Sequence, residues 1–465
     1  MANTNRQVTL TILETSDLHG NVLPLNYGNN QESDVGLAKI STLIQRERQQ
    51  NEHTIVIDNG DLIQGTPLLH HYAQFGGETV NPMVLLLNTL QFDAAVIGNH
   101  EFNFGQNILQ RAVQQSRFPW LSANVLDAST KQPFFGKPYL IKNIKPGIKV
   151  AILGLTTHYI PHWENPAHIA GIVFEDAVEA AAKWVRFLRE KAWVDVVVVS
   201  YHGGFERDPE TGDVTERLTG ENQGYRLCTE IEGIDVLLTG HQHRMIAGVT
   251  VNSTIVVQPG SQGSALGKVT VTLERREKQW QMVDKSSELL SVKNVAADPQ
   301  MVTLVKPYEN ETQKWLDQPI GKIEGDMRVH DPFALRLQDN ALIEFFNKVQ
   351  MHVADVDISC TSLFDNDCPG IPSDVSMRDV MANYIYANTL KVLRLTGRDI
   401  KAALEKTATY FAAYDGKAIR VNPAFAIPKP QHYNYDMWEG IDYVINVSRP
   451  VGERITKLHY NGKPI

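Results

Sequence analysis

A chain of 465 residues is longer than one ordinary hydrophobic core organises, so two domains are expected. Its 43% hydrophobic and 21% charged content is that of a soluble globular protein, and a net charge of −9 argues against a nucleic-acid polymer as partner, since such binding runs on positive charge. Three cysteines, Cys228, Cys360 and Cys368, are too few and too scattered for a disulfide framework or a thiolate metal site, and they read as free thiols.

The chain opens on MANTNRQVTLTILETSD, which has no apolar core of signal-peptide length, and no later run approaches a membrane span. As written, the sequence reads as cytoplasmic with no membrane partner; with a leader removed it would read as secreted, periplasmic or cell-wall. The short β-branched runs VTLTILETSD, TIVIDNGD, DAAVIGNHE, KVAILGL, DVVVVSYHGG and IDVLLTGHQH predict strands. Helical stretches such as VGLAKISTLIQRERQQ and FEDAVEAAAKWVRFLREKA lie between them. This alternation predicts an α/β layered domain over residues 1–295. Within it, TIVVQPGSQGSALGKVTVTLERREKQWQMVDKSSEL reads as antiparallel strands with turns. A polar, mostly helical segment at 296–318 reads as a linker. A second α/β domain follows at 319–465 and includes the helix GRDIKAALEKTATYF. No internal repeat or low-complexity tract is present.

Five of the predicted strands end alike. Their last residues are Asp17-Leu18-His19, Gly60-Asp61, Gly98-Asn99-His100-Glu101, His202-Gly203-Gly204 and Gly240-His241-Gln242-His243. In α/β sheets functional groups gather at the carboxyl ends of strands. Asp17, His19, Asp61, Asn99, His202, His241 and His243 are therefore expected on one edge. Asp and His without Cys suit a borderline or hard divalent ion such as Zn, Mn, Fe or Co. Seven donors exceed one tetrahedral ion and suit two ions sharing a carboxylate. In a strand, residues i and i+2 face the same way, so the D-x-H and H-x-H pairs can each serve one site. The glycines let the backbone turn sharply and approach closely. A lone histidine at a strand end is usually structural; five such motifs in one order carry the reading.

The order D-x-H, GD, GNHE, H-G-G, G-H-x-H resembles the calcineurin-like metallophosphoesterases, and within them the nucleotidase branch with a second, substrate-binding domain. ETSDLHGN, NGDLIQGTPL, GNHEFNFG and FPWLSANVLDASTKQPFF are most similar to bacterial 2′,3′-cyclic-nucleotide 2′-phosphodiesterase/3′-nucleotidases. YIYANTLKVLRLTGRDIKAALE and YNYDMWEGIDYVINV extend the resemblance through the second domain. It implies a four-layer αββα sandwich, a linker and a nucleotidase C-terminal domain, apparently truncated because the family's second base-stacking aromatic lies beyond NGKPI. It also implies two divalent ions. Asp17, His19, Asp61 and His243 would surround one, and Asp61 would bridge to the other, completed by Asn99, His202 and His241. Water made acidic by the ions would attack phosphorus, with Asn99 stabilising charge on the phosphoryl oxygens. His100 would be the catalytic histidine, donating to a phosphoryl oxygen or protonating the leaving alkoxide. Asn103 stands where many 5′-nucleotidases carry an aspartate that orients this histidine. Tyr433 matches a base-stacking position, and SLFDNDCPGIPSD has no arginine where some 5′-nucleotidases use one.

The remaining polar residues receive structural expectations. Asp58 and Asn59 should cap the turn before Asp61, and Glu101 should orient its neighbours. His70 and His71 should lie on a helix or the surface. The loop THYIPHWENPAHIAG, with His158, His162 and His168, is a candidate roof. The expected substrate is a nucleotide, preferably a 2′,3′-cyclic one or a 3′-monophosphate. The alternatives are a 5′-nucleotidase or UDP-sugar hydrolase of the same branch and, from a different class, a non-catalytic nucleotide- or metal-binding protein.

Overall fold

Every residue of the strand Val196–His202 is buried, which a sheet exposed on one face cannot achieve. Val196 and Val198 face one core, and Val197, Val199 and Tyr201 face another. The strand Ile148–Thr156 does the same, with Val150 and Ile152 on one side and Ala151, Leu153 and Leu155 on the other. A sheet of this kind must be covered on both faces.

In the computed structural model, which describes residues 7–277, 279–384, 389–427 and 430–465, two sheets supply that cover. Their strands in chain order are Gln7–Thr15 (β1), Thr54–Asp58 (β2), Ala94–Val96 (β3), Trp120–Leu121 (β4), Tyr139–Ile144 (β5), Ile148–Thr156 (β6), Val196–His202 (β7), Val236–Thr239 (β8), Met245–Val251 (β9), Thr254–Pro259 (β10), Ala265–Arg276 (β11) and Gln279–Ser291 (β12). The first sheet runs β12-β11-β1-β2-β3-β4, with β1 to β4 parallel, β11 antiparallel to β1 and β12 antiparallel to β11. The second runs β9-β10-β8-β7-β6-β5, with β6, β7, β8 and β10 parallel. Leu10, Ile12, Ile55 and Ile57 of the first sheet pack with Val150, Ile152, Val196 and Val198 of the second. The helices Ala177–Glu190 and Gly224–Glu230 cover the outer face of the second sheet. The helix Leu37–Gln50 packs on β2 and β11 of the first, burying Leu37, Ile40 and Ile44.

The four-layer expectation is thus borne out. One detail differs. The stretch from Thr254 to Leu289 is not a single antiparallel set: β10 lies parallel to β8 in the second sheet, whereas the β11–β12 hairpin joins the first. The chain changes sheets across Gly260–Ser264, a crossing that strand propensity does not report.

The chain forms two compact units, one up to Thr312 and one from Gln313. Most of the helix Pro299–Leu316 belongs to the first unit and is tied within it: Ser41 and Gln45 donate to Asp298 just before its start, and Tyr27 donates to Glu309. In the second unit Leu335, Leu342, Leu363, Tyr410, Phe411 and Tyr435 form one core. The helix Gly397–Thr407 packs Ile400 and Leu404 on Ile455 and Leu458 of the strand Ile455–Tyr460. Its start is fixed by a capping box between Thr396 and Asp399. Residues 1–6 of the leader reading and Ile385–Asn388 of YIYANTLKVLRL lie outside the described residues. Among those described, no helix is long and apolar enough to cross a membrane.

Where the chain leaves the first sheet for the second, Ala123 N–H donates to Gly154 carbonyl at 2.8 Å. A methyl group on Gly154 would overlap Leu121 Cβ and lie 2.7 Å from its carbonyl. Gly154→Ala should therefore destabilise the first unit by about 1–3 kcal/mol, the usual cost of overpacking, read as a lower denaturation midpoint with an unchanged slope. An unchanged midpoint would show that the sheets yield at this contact.

Candidate metal centre

The carboxyl ends of both sheets bring together the residues that the strand-end motifs carry. Asp17 and His19 follow β1, Asp61 follows β2, Asn99 follows β3, His202 ends β7, and His241 and His243 follow β8. They fall into two groups, Asp17 with His19 and His243, and Asp61 with His202 and His241; within each, donor atoms lie within 4.8 Å of one another. Asn99 joins the second group, with Oδ1 2.9 Å from His241 Nδ1 and 3.1 Å from His202 Nε2. Asp61 Oδ2 lies 3.2 Å from His202 Nε2 and 3.9 Å from His19 Nε2, so one oxygen addresses both groups.

This donor set fits divalent ions. Bonds of 2.0–2.1 Å in tetrahedral geometry place neighbouring donors about 3.3 Å apart. His19 Nε2 and His243 Nε2 face each other at 3.2 Å, and His243 Nε2 is 3.4 Å from Asp17 Oδ1. The far nitrogens of three rings are engaged elsewhere: His202 Nδ1 donates to Asn59 carbonyl at 2.7 Å, His19 Nδ1 to Gln64 carbonyl at 3.3 Å, and His241 Nε2 to Glu221 at 2.9 Å. Such bonds fix the tautomer and turn the opposite nitrogen inward as a ligand.

The backbone at these positions is not extended. Asp17, His19, Asp61, His241 and His243 have φ of 52°, 47°, 56°, 65° and 57°. Left-handed backbone costs an L-residue about 1–2 kcal/mol, least for residues such as Asn and Asp. The i, i+2 alternation of a strand therefore does not aim these side chains. Successive left-handed turns do, and they send His241 and His243 to different groups. Backbone bonds between strand ends hold the turns: Asp17 N–H donates to Gly60 carbonyl at 2.9 Å and His19 N–H to Asp61 carbonyl at 2.8 Å.

Buried carboxylates complete the frame. Glu101 accepts from the N–H groups of Gly98, Asp61, Leu62 and Ile63 at 2.6 to 3.2 Å, tying the β2 and β3 ends together. A side chain on Gly98 would overlap the Asp61 amide and crowd Glu101 Oε2 at 2.6 Å. Asp58 accepts from Thr15 Oγ1 and Gly60 N–H, a turn cap. Asn59 does more: its Oδ1 accepts from Ser200, its Nδ2 donates to Tyr201 carbonyl, and its own carbonyl holds His202, linking the first sheet to the second.

The charges are strongly coupled. Burial alone would raise Asp17, but the hydrogen bond and charge of His243, with His202, hold it below the usual carboxylate range. At Asp61, His202 and His100 likewise outweigh burial. Burial disfavours a charged His202, yet the charge and hydrogen bond of Asp61 push it up to about 10. At His19 burial wins over Asp61 and lowers the ring to about 4. Burial, with Glu101 and Asp17 and against the Thr15 bond, pushes Asp58 up to about 8.

His100 stands beside these groups. Its N–H donates to Asp61 Oδ1 at 2.8 Å, its ring centroid is 5.2 Å from that of His19, and its Nδ1 is 2.7 Å from Asn103 Oδ1. The loop with His158, His162 and His168 approaches through Trp163, whose ring stacks on His241 at 5.5 Å, and through Glu164, which accepts from Asn103 at 2.7 Å. Glu221 and Glu164 were not singled out in the sequence; Glu164 lies in the loop read there as a candidate roof, but only tertiary contact shows that it meets Asn103, and Glu221 comes from a loop with no motif. His70 and His71 lie on the helix Pro67–Phe75. In the second unit Tyr433 is half-buried in the short turn His432–Asn434, while Tyr435 belongs to the core. The arginine-free loop receives Arg336 from outside, which donates to Leu363 carbonyl and Asn366.

Ion loading should release protons. At pH 7 His202, pushed up to about 10, holds a proton in the metal-free protein, whereas His19, at about 4, is already neutral. An ion needs neutral imidazole. Filling the Asp61 group should therefore displace about one proton, and its affinity should rise with pH between about pH 6 and 9. Calorimetric titration in buffers of different ionisation enthalpy measures this; proton uptake, or an affinity flat across that range, would contradict the assignment.

Comparison with known proteins follows the same division of the chain. The calcineurin-like phosphoesterase family matches residues 10–245, and the 5′-nucleotidase C-terminal domain family matches residues 319–465. The 2′,3′-cyclic-nucleotide 2′-phosphodiesterase/3′-nucleotidase of Salmonella typhimurium is 30% identical over 98% of this chain and 79% of its own. The trifunctional nucleotide phosphoesterase protein YfkN of Bacillus subtilis is 28% identical over 99% of this chain, which spans only 35% of YfkN. A Staphylococcus aureus chain provisionally named a 5′-nucleotidase, solved in complex with alpha-ketoglutarate, is 34% identical, with a TM-score of 0.89 over 98% of this chain and 88% of that one. The protein therefore belongs to the calcineurin-like phosphoesterases that carry a 5′-nucleotidase C-terminal domain, a family of metal-dependent phosphoester hydrolases acting on nucleotides.

Proposed function

We propose that the protein opens 2′,3′-cyclic nucleotides to 3′-nucleotides and cleaves 3′-nucleotides to nucleosides at the paired Asp/His groups. The observation that carries a two-ion reading is Asp61, whose single Oδ2 reaches both groups while Oδ1 is held by His100 N–H. The choice of substrate is supported by relatives named for this activity in Salmonella typhimurium, Yersinia enterocolitica and Haemophilus influenzae, at 27–30% identity. Two divalent ions, drawn from Zn, Mn, Fe or Co, would be held by Asp17, His19, Asp61 and His243, and by Asp61, Asn99, His202 and His241. Bound there, they supply an acidified water and draw charge from the phosphoryl oxygens.

The chain's own residues do the rest. With Oδ1 turned toward His202 and His241, the Asn99 amide keeps its N–H groups for a phosphoryl oxygen. His100 engages Asn103 through Nδ1, which leaves Nε2 to hydrogen-bond a phosphoryl oxygen or protonate the leaving 2′- or 3′-oxygen as the P–O bond breaks. Tyr433 is our candidate for stacking on the base, a contact worth about 1–3 kcal/mol. A 5′-nucleotidase or UDP-sugar hydrolase activity is the alternative, supported by 5′-nucleotidases of Vibrio cholerae and Vibrio vulnificus at 24% identity. A non-catalytic binding protein is disfavoured by a complete donor set.

A panel of 2′,3′-cyclic AMP, 3′-AMP, 5′-AMP and a UDP-sugar under each ion separates these readings. The cyclic substrate should yield 3′-AMP before adenosine, and faster turnover of 5′-AMP or the UDP-sugar would overturn the proposal. Asp61→Ala should abolish turnover and leave fewer than two ions per chain by elemental analysis; two retained ions with full activity would remove Asp61 from the bridge. His100→Asn should keep its ions and lower kcat by about 10²–10⁴-fold. An unchanged kcat would take His100 out of the mechanism.

A further inference from the structure

Position 103 carries an amide, but a carboxylate lies one hydrogen bond further on. Asn103 Nδ2 donates to Glu164 Oε2 at 2.7 Å, and Asn103 Oδ1 lies 2.7 Å from His100 Nδ1. Glu164 is buried, and its other oxygen is occupied: Oε1 accepts from Asn165 N–H at 2.7 Å and lies 2.9 Å from His168 Nδ1. The loop that carries it is tied to the same region again, where Gln106 donates to Ala170 carbonyl at 2.9 Å.

The chemistry of the three groups fixes their order. An amide has one accepting and one donating end, and nothing intrinsic chooses which end faces the imidazole. A carboxylate only accepts. With Glu164 on one side, the Asn103 NH₂ must point to it, so Oδ1 must face His100. His100 Nδ1 must then carry a hydrogen, and Nε2 is the nitrogen left free. Without Glu164 the amide can turn over and offer N–H to the ring, which would select the opposite tautomer.

We propose that Glu164 is a positioning residue for His100, acting through Asn103: it sets the amide, and the amide sets the Nδ1–H tautomer and plane of the ring. This rests on the reading of His100 as the catalytic histidine. It accounts for an asparagine at position 103: the carboxylate orients the ring from a second position instead of touching it.

The test uses Glu164→Ala, Asn103→Asp and the double variant in the full chain. Nitrogen-15 shifts of His100 in metal-free protein, read above the pH of imidazole titration, report the tautomer. Wild type should show Nδ1–H, and Glu164→Ala a mixture. In the loaded enzyme Glu164→Ala should lower kcat roughly 10–100-fold, the scale of an outer-shell orienting partner, with KM changed less than about threefold and ion content unchanged. Asn103→Asp places a carboxylate directly on the ring, and either of its oxygens accepts. Added to Glu164→Ala, it should restore both the tautomer and most of kcat. A residue that only anchors the loop would not be rescued this way, so a kcat loss without tautomer mixing or without rescue overturns the proposal. Should Glu164→Ala fail to fold, Glu164→Met removes both accepting oxygens at similar volume and carries the same comparison. If His100→Asn is inactive while Glu164→Ala changes neither tautomer nor kcat, positioning by Glu164 fails and His100 stands. If His100→Asn is fully active, the catalytic reading fails, and the shifts alone decide whether Glu164 sets the ring.

Discussion

Five carboxyl groups, Glu14, Asp17, Asp58, Asp61 and Glu101, are buried together where the ends of two sheets meet. Like charges about 4 Å apart repel by about 4 kcal/mol even at an effective dielectric of 20. The fold meets this repulsion differently at each position. Glu101 spreads its charge over four backbone N–H groups. Asp58 and Glu14 are pushed up by burial first and then by their acidic neighbours. Asp17 and Asp61 stay ionised because histidines face them. A pair of divalent cations would take over from these histidine charges, opposite the two carboxylates that stay ionised.

That arrangement needs the two sheets to end in register with each other, and a few polar contacts ensure it. Asn59 follows β2 yet touches three residues of β7. Asp17 follows β1 yet accepts from the N–H of His241, beyond β8. The apolar residues between the sheets hold them face to face without specifying how far one slides along the other, since burial is non-directional. The directional bonds at the edge supply that registration.

Much of this was legible in the sequence because strands and their ends are local features. β-branched runs predict strands from five or six residues, and the polar residues that follow each run lie at its carboxyl end. The helices Leu37–Gln50 and Ala177–Glu190 were legible for the same reason: their apolar residues recur at helical spacing. What was not legible depends on distant contact or backbone geometry. Glu164 sits in the loop read as a candidate roof and Glu221 in a loop without a motif, and neither neighbourhood names the residue it meets, Asn103 for the one and His241 for the other. The division of Thr254–Leu289 between two sheets is a matter of partner choice, and an isolated strand does not name its partner. The alternation rule put Asp17 with His19 and His241 with His243; the first pair shares a group and the second is split between two, because left-handed turns after the strands, not strand alternation, aim these side chains.

That left-handed backbone also bears on how such a site can diverge. At Asp17, His19, Asp61, His241 and His243 an acceptable residue must offer a donor atom and also tolerate positive φ. Asp, Asn and His do both, while β-branched residues are penalised by the backbone whatever their side chains offer. Drift at these positions is confined to exchanges among oxygen and imidazole donors. The centre can move along the series from harder to borderline ions by trading a carboxylate for an amide or an imidazole. At these five positions the main chain thus favours Asp, Asn and His over β-branched residues, so the shape of the turns takes part in choosing which donors, and with them which ions, descendants of this fold can adopt.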